Sequence, residues 1–242
     1  MLSYSVSILK KSKEMIQENI LRLKERITAV CNRLGRNPQE IKIVAITKNT
    51  TPPMIKQAID YGINDIGENR VQDAISKFAS LESEKIKFSK HMVGHLQTNK
   101  AKKCVEIFDL IQSVDSLKLA SEINEQAEKI NKIQNILIQV NTSSEVTKFG
   151  LKCEELKGFI REIPKFENLK VQGLMTIAPL VENPQEVRIF FKRLSELKDK
   201  INEQREQAEN IGILSMGMTD DFEVAIEEGS NMIRVGRAIF GD

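Results

Sequence analysis

Three short stretches carry side chains that could act on a small molecule. VAITKNT (44–50) ends an apolar, β-branched run on Lys48, an amine placed where the chain must turn out. SMGMT (215–219) sets the hydroxyl of Ser215 two residues ahead of the unhindered backbone of Gly217. RVGRA (234–238) sets Arg234 two residues ahead of Gly236, at the start of a short helical segment. A lysine amine becomes a nucleophile towards carbonyl groups once partial burial lowers its pKa. Glycine backbone at a helix start lets N–H groups close on an anion. An amine facing such a cup suits an aldehyde that carries a phosphate. Each feature taken alone has a plainer explanation, because most lysines are solvated and most glycines serve turns or close packing. The chemistry therefore depends on elements that bring the three stretches to one place.

The hydrophobic pattern supplies those elements. After a helical run in which Ile16, Ile20, Leu21, Leu23, Ile27, Val30 and Leu34 recur at helix spacing, Gly35 and Asn37-Pro38 stop the helix. Strand patterns follow at 41–47, 63–68, 91–96, 110–114, 135–141, 171–177, 212–218 and 231–236. Helical patterns lie between them. One is expected to start with Thr51 as cap and Pro52 in its first turn, another with Asp115 or Ser116 as cap, and a long charged one runs from 184 to 210. Alternating strands and helices imply a parallel sheet covered on both faces. Eight such units favour a closed (β/α)8 TIM barrel in a single domain spanning 1–242. An open doubly wound sheet competes, but no GxGxxG follows the first strand. Only RAIFGD follows the last strand, so a full eighth helix is missing. Residues 1–35 are expected to pack on the barrel and cover that gap.

Composition removes several classes of function. The 36 Lys and Arg against 34 Asp and Glu give a net charge of +2, no electrostatic case for nucleic acid or an acidic membrane. The three cysteines, Cys31, Cys104 and Cys153, form no metal or redox spacing, which fits free thiols in a reducing compartment. His91 and His95 have the i, i+4 spacing of a helical metal pair, but Gly94 and the apolar residues beside them argue strand and turn. No secretion signal or membrane-length apolar run is present, so the expected location is the cytoplasm.

In an α/β barrel the site lies at the C-terminal ends of the strands. Those ends present Lys48; Glu68, Asn69 and Arg70; Gly94 and His95; Asn141 with Lys148 in the next loop; Ser215, Gly217 and Thr219; and Arg234, Gly236 and Arg237. Phosphate often binds at the loops after strands seven and eight. Pyridoxal 5'-phosphate (PLP) is an aldehyde of the required kind. Arg234 would then sit near its ring nitrogen, and an arginine there leaves the ring neutral and a weaker electron sink.

The ordered set VAITKNT, DIGENRVQDA, HMVGHLQTNKAK, IQSVDS, LIQVNTSSEVTKFGL, GLMTIAP and LSMGMTDDFEVAIEEGSNMIRVGRAIFG resembles the YggS/PROSC family of PLP-binding, PLP homeostasis proteins. The resemblance runs across nearly the whole chain. It implies the fold of the alanine racemase N-terminal barrel. It places Lys48 where the family's lysine forms a covalent aldimine with PLP, Asn69 near the cofactor, and Ser215 with the backbone around Gly217 at the phosphate. It also places Arg234 at the pyridine nitrogen, Gly236 in the phosphate-binding turn, and Lys148 as a second lysine near the mouth. Two departures stand out. Lys90-His91-Met92-Val93-Gly94 replaces a frequent Trp-His-Phe-Ile-Gly, and Thr219 replaces a frequent Ser.

A racemase needs an acid/base on each face of the cofactor. Alanine racemase takes the second, a tyrosine, from a partner's β-domain. The tyrosines of this chain are Tyr4, expected in an N-terminal tail, and Tyr61, late in a helix; no sequence for a β-domain follows Asp242. The reading is a monomeric PLP-binding protein of vitamin B6 homeostasis with little or no catalysis, its implied partners being PLP-dependent apo-enzymes. A racemase-like enzyme and a barrel enzyme forming a Schiff base with a phosphorylated sugar remain the alternatives.

Overall fold

The computed structural model describes residues 2–143, 145, 147–203 and 210–241, with side chains from residue 14 onward. Nine strands run in chain order: β1 (Lys42–Ile46), β2 (Asp65–Glu68), β3 (Ser89–Met92), β4 (Leu110–Val114), β5 (Gln134–Asn141), β6 (Leu151–Lys152), β7 (Leu169–Met175), β8 (Ile213–Ser215) and β9 (Met232–Val235). Eight of them pair in parallel in the order β4-β3-β2-β1-β9-β8-β7-β5, and β4 pairs with β5 to close the ring. This is the expected (β/α)8 barrel. β6 stands outside it and extends the mouth end of β5, Val140 opposite Leu151.

The helices are α1 (Leu2–Leu34), α2 (Pro52–Asp60), α3 (Val71–Ser83), α4 (Ala101–Ile107), α5 (Leu117–Glu128), α6 (Leu156–Glu162), α7 (Arg188–Glu203), α8 (Phe222–Glu227) and α9 (Arg237–Phe240). α9 is a single turn, and α1 packs against α9, α2 and α8. Ile16, Ile20, Leu23, Ile27 and Val30 bury that face, whereas Leu21 and Leu34 are exposed. Asn19 Nδ2 donates to Ile239 O at 3.1 Å, and Arg36 donates to Ile226 O and Ser230 O just beyond α1.

Several boundaries differ from the sequence reading. β3 ends at Met92 rather than running through His91–Leu96. Val93 N still donates to Glu68 O, but the chain then crosses the exit of β2, so close that a Cβ on Gly94 would lie 2.3 Å from Asn69 O. β8 stops at Ser215 because Gly217 adopts φ +94, off the pleat. The helices after β3 and β7 each begin with a 3-10 turn, Thr98–Lys100 and Pro184–Val187. The last part of the second expected helix, 204–209, lies outside the described residues. Ser116, not Asp115, caps α5, accepting from Leu119 N at 3.2 Å. Thr51 occupies the cap position of α2 without a side-chain cap bond; Pro52 and Pro53 set the first turn instead.

Two apolar layers result. One fills the space between barrel and helices. The other, Val44, Leu110, Leu137, Met175 and Met232 with Ile46 and Ile213 against it, fills the barrel itself. The inner layer identifies the lumen face of β1, β4, β5, β7, β8 and β9, because successive side chains alternate.

Candidate functional site at the barrel mouth

Val44 and Ile46 point into the barrel, and Ala45 into the outer layer. Thr47, outward and fully buried, donates from Oγ1 to Glu68 Oε1 at 2.6 Å. The alternation therefore sets Lys48 on the lumen side, in the turn closed by Thr50 N to Thr47 O at 3.0 Å. The partial burial expected of Lys48 is not found. It is exposed, because the turn carries it past the last ladder residue into an open mouth, and its amine has no ion pair or hydrogen bond among the described residues.

What holds this turn is a buried ion pair that the sequence did not reveal. Lys77 of α3 donates from Nζ to Thr47 O at 2.6 Å and to Glu68 Oε1 at 2.7 Å. The Glu68 side chain is fully buried, and its second oxygen has no hydrogen-bond partner among the described residues. The main chain immediately before Lys48 is thus pinned by a charge, a stronger contact than a neutral bond.

On the neighbouring strand β9, the register Arg234↔Val44 puts Arg234 on the same lumen face as Val44. Its Nη1 donates to Ser215 Oγ at 2.7 Å and its Nη2 to Thr176 O at 2.7 Å, at the mouth end of β7. Burial lowers the guanidinium pKa to about 10, opposed by the nearby Asp221 carboxylate, so the group stays cationic at neutral pH. Asp221 in turn is raised by burial, against its bond from Met218 N at 2.5 Å and the charge of Arg234. Ser215 is fully buried and also donates to Gln112 Oε1 at 2.6 Å. Its hydroxyl therefore belongs to the layer that supports Arg234, below the rim. At the rim after β8 stands Thr219, whose Oγ1 accepts from Ala238 N at 3.4 Å.

Gly217 and Gly236 hold the two turns beside this layer. A Cβ on Gly217 would lie 2.6 Å from Ala225 Cβ, and Gly217 O accepts from Arg234 N at 3.0 Å. Gly236, half-buried before α9, lies against Ile46, where a Cβ would meet Ile46 O at 3.2 Å. Asn69 is exposed after β2, on the other flank of β1 from β9, lining a cleft of about 590 Å³ with Arg70, Gly94, His95, Gln97 and Lys100. Between them, Lys148 Nζ lies 3.3 Å from Glu145 Oε1, and its loop borders a 270 Å³ cavity with Ile177, Leu180 and Met218.

The histidines separate as β3 ends. His91 is buried inside the barrel, and His95 sits at the mouth, stacked on Phe149 at 3.8 Å and 3.6 Å from Asp115. No cluster of three or more His, Cys, Asp or Glu side chains among the described residues could hold a metal. Tyr61 Oη bonds Gln17 of α1 at 2.9 Å, behind the barrel wall. The side chain of Tyr4 lies outside the described residues. No described helix is long and apolar enough to cross a membrane.

An exposed amine, a buried cation with its donors aimed along the lumen, and two glycine turns at adjacent strand ends fit a flat, anionic aldehyde. Comparison with known proteins agrees. Residues 16–242 match the family model described as the N-terminal domain of alanine racemase. The chain is 41% identical over 225 residues to the pyridoxal phosphate homeostasis protein of Aquifex aeolicus, covering 93% of this chain and 97% of that one. The structure of PipY from Synechococcus elongatus PCC7942 with PLP bound superimposes with a TM-score of 0.81 at 31% identity, covering 93% of this chain and all 100% of that one. An alanine racemase of Clostridium difficile, 16% identical with a TM-score of 0.70, shares the fold over 95% of this chain and 57% of its own.

Proposed function

We infer function from an established premise: this chain belongs to the family of pyridoxal phosphate homeostasis proteins, built on the alanine racemase N-terminal barrel. It binds PLP in the barrel mouth, with Lys48 bonded covalently to the aldehyde, and serves cytoplasmic vitamin B6 homeostasis with little or no turnover of its own. The observation that carries this reading is the lumen layer in which Arg234, fixed by Ser215 and Thr176, lies on the strand beside β1, whose end turns out at Lys48. When bound, PLP supplies an electrophilic aldehyde and an electron-withdrawing ring.

The chain's own residues then divide the work. The backbone turns at Gly217 and Gly236, with Thr219 between them in space, hold the phosphate. Arg234 donates to the ring nitrogen and, being cationic, takes no proton from it. Ser215 acts through Arg234, and Asn69 borders the ring from the β2 side. Two features favour holding over turnover. Lys48 is exposed, which suits handing the cofactor on to apo-enzymes, and Tyr61, committed to Gln17, offers no acid on the opposite face. The protein acts as a monomer on this reading.

Absorbance spectroscopy tests it. Purified protein given PLP is expected to show a band near the visible edge that Lys48→Ala abolishes; a wild-type protein that stays colourless overturns the reading. Exchange of the α-hydrogen of alanine in deuterated water separates holding from turnover. Exchange at ordinary enzyme rates, of order 1 to 1,000 per second, would favour a racemase-like enzyme.

A further inference from the structure

One chain of hydrogen bonds crosses the barrel interior from mouth to base. Arg234 Nη1 donates to Ser215 Oγ at 2.7 Å, and Ser215 Oγ donates to Gln112 Oε1 at 2.6 Å. Gln112 Nε2 bonds His91 Nδ1 at 2.9 Å, and His91 Nε2 bonds Asp65 Oδ1 at 2.9 Å. Asp65 Oδ1 lies 3.5 Å from Lys42 Nζ, where a 380 Å³ cavity opens beneath α1 at the base. The ends are chemically fixed, since a guanidinium only donates and a carboxylate only accepts. With a neutral imidazole between them, each member has one choice. His91 Nε2 carries its hydrogen towards Asp65, so Nδ1 accepts. Gln112 then shows its nitrogen to His91 and its oxygen to Ser215. Ser215 directs its only hydrogen to that oxygen and accepts from Arg234. A flipped Gln112 would set two donors on Ser215 and take away the acceptor for the serine hydrogen, in a place with no water-exposed surface.

We propose that Gln112, read out from His91, is a positioning residue that fixes the Arg234 guanidinium in the pose it presents to a ligand ring. The proposal rests on the PLP reading of the mouth given above. Neither Gln112 nor His91 touches that ligand; they act through Ser215.

The first test needs no ligand. Nitrogen NMR of 15N-histidine-labelled protein without added PLP resolves two histidines, with His95→Gln to assign them. The expected result at neutral pH is a His91 ring with hydrogen on Nε2 and a bare Nδ1; hydrogen on Nδ1 overturns the one-way chain. The second test compares Gln112→Met with Gln112→Glu, each first checked for folding by circular dichroism. Methionine keeps the volume and removes the acceptor for Ser215. Glutamate keeps that acceptor and should draw a second hydrogen onto His91. Positioning expects Gln112→Met to weaken PLP binding roughly tenfold or more and move its absorbance band, with Gln112→Glu closer to wild type. A residue that merely packs gives the reverse order, and that order overturns the proposal. Should Gln112→Met not fold, Ser215→Ala breaks the same chain, and unchanged binding and band in it count equally against the proposal. If the wild type takes up no PLP, the functional reading itself has failed, while the histidine result still reports on the chain.

Discussion

At the residue scale, Lys48 owes its place to a neighbour it does not touch. Lys77 holds Thr47 O and the buried Glu68 carboxylate together, and Lys77→Met would leave that carboxylate unpaired. The expected loss is about 3 kcal/mol in urea unfolding, since breaking a buried pair strands a charge. Glu68→Gln in the same chain should recover part of it, which a double-mutant cycle measures. Asp65 gives a prediction in pH. Burial alone would raise its carboxyl, but the hydrogen bond from His91 and the Lys42 charge work against burial, and it lies below its ordinary value. The folded state thus favours the carboxylate. Its contribution is complete above the ordinary value of about 3.9 and is lost as pH falls through the lower folded value. Asp65→Asn keeps an acceptor for His91 and removes the charge. The stability gap between wild type and variant should be constant above about pH 5 and close below about pH 4, by urea unfolding across pH.

At the element scale, the strand ends are set by close approach rather than by propensity. HMVGHL has the apolar character of a strand, yet β3 stops at Met92 because Gly94 must pass against the Asn69 backbone. SMGM reads as the continuation of β8, yet Gly217 at φ +94 turns the chain under α8. Gly217→Ala meets both a left-handed backbone and Ala225, so it should cost about 2 kcal/mol in thermal unfolding and weaken PLP retention together. Periodicity could reveal neither stop, because the glycine's neighbour in each case comes from another element. What periodicity did give was the buried stripe of α1. Ile20, 1% exposed, lies at its centre, and Ile20→Ala should cost about 2–5 kcal/mol.

At the scale of the whole molecule, the barrel has two ends with different tasks. The mouth gathers Lys48, the glycine turns and Arg234, while the base gathers Asp65 and Lys42 beneath α1. α1 covers the flank that the single turn of α9 leaves bare, between α8 and α2. A chain beginning after Leu34 would expose Ile239, Phe222 and Ile55 on that flank. It should lose cooperative unfolding in calorimetry and aggregate; a soluble truncation with a single sharp transition would show that the barrel closes without it.

The sequence by itself determined the eight alternating units, their parallel closure, the family, and the positions of Lys48, Asn69, Ser215, Gly217, Arg234 and Gly236 at strand ends. These are properties of local period and of turn residues, which each segment carries alone. Only the tertiary structure decided what those residues touch. Ser215 and Gln112 are 103 residues apart, Gln112 and His91 are 21 apart, and Lys77 reaches back 30 residues to Thr47. A strand's pattern states which face looks inward. It does not state which strands become neighbours in the closed ring or which side chain reaches across it; β8 beside β9 placed Ser215 beneath the rim as the support of Arg234, and Gln112 reached Ser215 from β4 on the far side.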